Sequence, residues 1–173
     1  MKFLEKDLEQ IIYETNYIDL LKSGLYVWGK KKRQLKIGRY GIADLVYIDR
    51  PRYHTGIGSM VKGTIHVIEL KQNKISVSAF LQAVRYVRGI QRFLSIRKPN
   101  LSDCFDFNII LIGSELDLES SLCYLPELFF PECSERQIDE TARTSVQLYT
   151  YEYEFTGLKF IEHSKYKLSH EGL

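Results

Sequence analysis

With 173 residues, 45% of them hydrophobic and 27% charged, the chain has the length and balance of one globular domain, which sets aside disordered, fibrous and membrane-spanning classes. A net charge of +2 neither demands nor excludes a polyanionic partner, so the placement of the charges carries the information. The three cysteines, Cys104, Cys123 and Cys133, have no CxxC spacing, and the charged start MKFLEKDLEQ has no apolar leader, so a reducing cytoplasm with neither disulfides nor structural zinc is expected.

Apolar residues Leu4, Leu8, Ile11 and Ile12 recur at helical spacing and predict a helix from Phe3 to about Tyr17, with Glu5 and Glu9 on its flank. Residues 25–37 and 41–48 follow as two strands divided near Gly38 and Gly41, and the glycines, Pro51 and polar residues from Asp49 to Gly63 predict a loop. TIHVIELK is a short strand of high β propensity. A long helix runs to Ile96 from Ser76 or Ser78, either of which suits an N-cap, and Pro99 marks its end. FDFNIILIG reads as a buried strand, and the helix before it supplies the crossover for parallel pairing. A shorter helix is expected over Leu116 to Leu125, and the stretch from Pro126 to Thr144 fits no single element. VQLYTYEYEF and LKFIEHS alternate as the arms of a hairpin around Thr156-Gly157. This order gives an α/β sandwich, a central mixed β-sheet flanked by helices.

Side chains alternate along a strand, so Glu69 and Lys71 of IELK project to one side while Ile68 and Leu70 project to the other. Antiparallel pairing of GIADLVYI with TIHVIELK brings the start of the first strand beside the end of the second, and Asp44 beside Glu69. Two carboxylates and the Leu70 backbone carbonyl form an oxygen-rich set suited to magnesium or manganese. A metal held there polarises a phosphoryl oxygen and activates water, while Lys71 orients that water or stabilises developing charge, which is the chemistry of phosphodiester hydrolysis. Read without the others, Glu69 and Lys71 would form a surface ion pair and Asp44 would be a turn residue after Gly41.

Asp44, Glu69-x-Lys71 and Gln82-x-x-x-Tyr86 together resemble the PD-(D/E)XK nuclease superfamily. GIADL, ELK and QAVRY are similar to the GxxDL, ExK and QxxxY segments of NucS-like endonuclease domains. The resemblance covers about residues 3–113 and implies a restriction-endonuclease-like fold, with residues 114–173 as a helix and hairpin extension of a single domain, 1–173. It implies a Mg2+-dependent deoxyribonuclease, with Mn2+ able to substitute, acting as an endonuclease. Asp44, Glu69, Lys71 and Gln82 would form its catalytic centre. In the superfamily a helix before the core often supplies a further acidic residue near the metal, directly or through water. In FLEKDLEQIIYE, Glu9 is the first choice and Glu5 the second. Gln82 and Tyr86 lie one helical turn apart with Arg85 adjacent, and by the same resemblance position the metal site or the scissile strand.

The expected partner is DNA, with RNA left open. Lys31, Lys32 and Arg33 in the run from Lys30, then Arg50 and Arg52 beside Tyr53 and His54, are candidate phosphate and stacking contacts, or else a solvated hairpin and loop. Arg85, Arg88 and Arg92 either contact backbone phosphates or solubilise one helix face. Tyr149, Tyr151, Tyr153 and Phe155 share a strand face suited to core packing or a homodimer contact. The rival to an enzyme is a catalytically inactive nucleic-acid-binding or protein-interaction module of the same fold.

Overall fold

A computed structural model describes residues 4–54, 59–117, 144–155 and 157–163. Helix α1 (Glu5–Glu14) buries Leu8 and Ile12, four residues apart on one stripe. The expected helix to Tyr17 ends early because Thr15 is extended and Asn16 caps a second helix, α2 (Tyr17–Lys22), by accepting the Asp19 N–H at 3.0 Å. Leu25 and Val27 then bury without joining a strand, so the first strand starts later than residue 25.

Strand β1 (Lys30–Lys36) turns through a short 3-10 helix at Gly38–Tyr40 into β2 (Ile42–Ile48), its antiparallel partner. The expected loop from Asp49 to Gly63 contains an arm of two short strands, β3 (Arg52–His54) and β4 (Ser59–Val61), a correction that three-residue strands are too short to announce by periodicity. β5 (Gly63–Leu70) pairs antiparallel with β2 and parallel with β7 (Phe105–Gly113). Between them lie the short β6 (Lys74–Ile75) and the long helix α3 (Val77–Arg97). Ser76 occupies the N-cap position of α3, but its hydroxyl bonds Ser78 at 2.7 Å instead of capping.

Leu116, the expected start of a helix, belongs to β8 (Glu115–Leu116), a two-residue strand parallel to β6; residues 118–143 lie outside the described residues. β9 (Thr144–Glu154) and β10 (Gly157–Glu162) form the expected hairpin. That hairpin continues the central sheet, because β9 runs parallel to β7 over Phe107–Gly113. The main sheet thus has six strands in the order β1-β2-β5-β7-β9-β10, a mixed sheet with helices on both faces.

Two apolar layers hold it together. On one face Ala83, Tyr86 and Val87 of α3 pack on Val46, Val67, Ile109 and Val146. On the other, Leu8, Ile12 and Leu20 of α1 and α2 pack on Leu45, Ile68, Ile110 and Tyr149. β7 is buried on both faces, which explains its unbroken apolar run. Its one fully polar interior residue, Asn108, bonds Gln147 at 2.5 Å and His66 Nδ1 at 3.2 Å. Gly89 lets α3 approach the β1–β2 turn: a Cβ there would lie 2.5 Å from Ile37 Cγ2 and 2.7 Å from Tyr40 Cγ.

Candidate active site at the ends of β2 and β5

The β2–β5 pairing runs from Ile48↔Ile65 to Leu45↔Ile68, so Asp44 and Glu69 are the next residue of each strand beyond the last pair. This is the juxtaposition expected from the sequence. Asp44 Oδ2 accepts the Leu70 N–H at 2.9 Å, which fixes the carboxylate across the end of the neighbouring strand. Lys71 Nζ donates to Glu69 Oε1 at 2.7 Å. The Glu69 side chain is 1% exposed and that of Lys71 25%, so the pair presents its ammonium outward and hides its carboxylate. Glu69 Oε2 is buried with no hydrogen-bond partner.

Burial pushes the Glu69 carboxyl up to about 7, and the charge of Asp44 adds to the rise while Lys71 opposes it. Burial likewise raises Asp44, against the Leu70 N–H bond and Lys71, with Glu9 and Glu5 adding to the rise. For Lys71 the largest single influence, burial, acts downward, but the Glu69 bond and the charges of Glu69, Glu5 and Asp44 override it and leave its pKa raised. The group is therefore short of positive charge: Asp44 and Glu5 act on Glu69, Glu5 and Glu9 act on Asp44, and one lysine, Lys71, opposes them.

Of the two acidic candidates on α1, Glu5 is bound at the end of β5, where its Oε1 accepts the Gln72 N–H at 3.2 Å. Glu9 is buried and its carboxylate is taken by Arg33 Nε and Gln34 Nε2, although its charge reaches Asp44. Spacing along a helix leaves Glu5 and Glu9 on one flank and so could not separate them; the positions of Arg33 and Gln72 do. Gln34 itself was not singled out from the sequence. It stands opposite Asp44 between the pairs Arg33↔Leu45 and Leu35↔Ala43, with a left-handed φ of 48°, a conformation that costs a non-glycine residue about 1–2 kcal/mol.

Gln82 Nε2 donates to the Tyr86 hydroxyl at 2.6 Å, and Tyr86 is buried. Its ring lies against Gly41, where a Cβ would meet Tyr86 Cε1 at 2.8 Å and where φ is +114°. Gly41 is therefore required by both conformation and space, and it brings the helix motif to the start of the Asp44 strand. Arg85 is exposed, 5.9 Å from the Tyr86 ring centroid.

The basic run divides by strand alternation. Lys31 Nζ donates to the carbonyls of Tyr13 at 2.7 Å and Thr15 at 2.6 Å, closing the end of α1, while Arg33 holds Glu9. Lys32 is exposed on the opposite side. Arg50 is exposed, and Arg52 pairs with Asp49 at 3.3 Å. Tyr149 and Tyr151 are buried in the core, whereas Tyr153 and Phe155 are exposed. No described helix is long and apolar enough to cross a membrane. Among the described residues no group of three or more His, Cys, Asp or Glu side chains is arranged to hold a metal ion by itself. No family model, no curated protein and no solved structure matches the chain.

Proposed function

We propose that Asp44, Glu69 and Lys71 form the centre of a divalent-metal-dependent nuclease that hydrolyses DNA phosphodiester bonds on a restriction-endonuclease-like framework. The observation that carries this reading is the buried, unpartnered Oε2 of Glu69 beside Asp44, whose carboxylate is fixed on the Leu70 N–H. If all are ionised, three carboxylates against one ammonium leave two negative charges, the complement of a divalent cation. Asp44, Glu69 and the Leu70 carbonyl would hold Mg2+ or Mn2+, with Glu5 the acidic neighbour better placed than Glu9. Two carboxylates are a sufficient protein share, since magnesium keeps several waters and shares substrate oxygens. The bound ion would supply Lewis acidity toward a phosphoryl oxygen and a more acidic water.

The chain's own groups have separate tasks. Lys71 keeps Glu69 oriented through one N–H and has further N–H donors for a phosphate oxygen as charge builds there. Gln82 and Tyr86 buttress the turn at Gly41 from which Asp44 enters. Exposed Arg85 supplies positive charge for the DNA backbone.

Asp44→Asn, Glu69→Gln and Lys71→Met are each expected to lower cleavage of plasmid and end-labelled oligonucleotides in Mg2+ or Mn2+ by about 10²–10³-fold or more. Circular dichroism should stay native. Glu9→Gln should cost stability through Arg33, while Glu5→Gln should raise the metal concentration needed. Undiminished metal-dependent cleavage by the Asp44→Asn/Glu69→Gln/Lys71→Met triple variant sinks the reading. The rival from another class is an inactive DNA-binding module of the same fold. Its signature is DNA retention by the wild type with no cleavage in either metal.

A further inference from the structure

Helix α3 covers β5 and β7 and only grazes β2, so the α3 face of the β1–β2 hairpin lacks a helix of its own among the described residues. What lies there is a half-open groove of about 660 Å3. Its floor is aliphatic, built from Leu35, Ile37, Val46, Ile48 and Ile65, and its wall is Ile90, Phe93 and Leu94 of α3, with Phe93 58% exposed. Five cations surround it, Lys32, Lys36, Arg39, Arg92 and Arg97, with no carboxylate in the lining. None of the five enters an ion pair among the described residues.

We propose that this groove docks an acidic amphipathic helix of a partner protein, its apolar stripe on the β1–β2 floor beside α3 and its carboxylates on the cationic rim. Three features select a helix of that charge. Laying a helix beside α3 completes the layer that an α/β sheet requires to bury a mostly apolar face. The floor from Lys32 to Ile37 is about 17 Å long at strand rise, which a helix of about three turns matches. Unpaired cations around an apolar floor are complementary to an apolar stripe edged by glutamates. Single-stranded nucleic acid shares the charge, and Tyr40, Phe93 and Phe105 line the groove, but the floor on which successive bases would stack is built of aliphatic side chains. The inference does not rest on the nuclease reading, since no floor or rim residue of the groove belongs to the Asp44–Glu69–Lys71 group.

The probe is a fluorescein-labelled peptide of about 14 residues with leucines at i, i+3, i+4, i+7 and i+11 and glutamate or alanine elsewhere. A permuted peptide of the same composition without the stripe is its control. Fluorescence anisotropy should show saturable binding of the striped peptide to the full chain, about tenfold tighter than the permuted one and weakened by salt. Phe93→Asp and Arg92→Glu, both at exposed positions of α3, should each weaken it about tenfold or more. Lys22→Glu on the opposite face should not, and metal-dependent cleavage by Phe93→Asp should equal wild type. Absence of binding, equal binding of the permuted peptide, or indifference to Phe93→Asp overturns the proposal. It is also overturned if an oligonucleotide, or a second copy detected by sedimentation, occupies the groove in a Phe93-dependent way while the striped peptide does not bind.

Discussion

Glu69 and His66 lie three residues apart on β5, on opposite faces of the sheet, and burial drives them in opposite directions. The Glu69 carboxyl rises to about 7 and the His66 imidazole falls to about 4, each chiefly through loss of water around its charged form, with Asp49 opposing the fall of His66. For His66 the unfolded chain takes a proton as pH falls below about 6.5 and the folded chain does not until about 4. Stability from this group is complete above 6.5 and lost as pH falls through that window. For Glu69 the folded chain keeps its proton up to about 7 while the unfolded chain releases it near 4.5, so stability is complete below 4.5 and lost as pH rises toward 7. Between pH 5 and 7 the two slopes oppose. His66→Gln, which keeps an acceptor for Asn108, should gain stability relative to wild type as pH falls from 7 to 5, and Glu69→Gln should lose it. Each change should be roughly 2 kcal/mol. Urea unfolding at the two pH values measures this, and slopes of the same sign would contradict the assigned burial.

The same residues show what one sequence exposes at this scale. The nearness of Asp44, Glu69 and Lys71 was legible because antiparallel pairing brings the start of β2 to the end of β5, and the structure has Asp44 on the Leu70 N–H and Lys71 on Glu69. The roles of Lys31 and Arg33 were not, because a basic run looks the same whether it meets solvent or the end of α1.

At the scale of elements, α3 was legible from its apolar spacing, but the contribution of Gly89 was not. Helix propensity alone says that Gly89→Ala should stabilise by about 1 kcal/mol. The structure reverses the sign. The added Cβ would press on Ile37 Cγ2 and the Tyr40 ring, both held in the turn that leads into β2. Overpacking of this kind costs about 1–3 kcal/mol, so Gly89→Ala should lower the melting temperature by several degrees. A rise in melting temperature would mean that the turn yields freely. Elements that were missed are short: α2 depends on the Asn16 cap, and β3, β4, β6 and β8 have two or three residues each, too few for a period.

Across the whole molecule, an α/β class with a mixed sheet followed from the order of elements, but strand order depends on contacts no local pattern encodes. The terminal hairpin illustrates the difference: it reads as an extension after residue 113, yet β9 sits between β7 and β10 inside the six-stranded sheet. It feeds both apolar layers, Val146 and Leu148 on the α3 face and Tyr149, Tyr151 and Phe160 on the α1 face. A chain ending at residue 143 would lose these side chains and leave β7 as an unpaired edge of nine residues, FDFNIILIG. Fully burying each large apolar side chain contributes about 1.5–3 kcal/mol, so losing all five removes an amount comparable to the whole ~5–15 kcal/mol net stability usual for a domain. The shortened chain should therefore lose cooperative unfolding and near-ultraviolet dichroism and aggregate along the exposed β7 edge. If it instead melts cooperatively and keeps metal-dependent cleavage, residues 1–143 suffice as the folding unit and β9 is dispensable to the sheet.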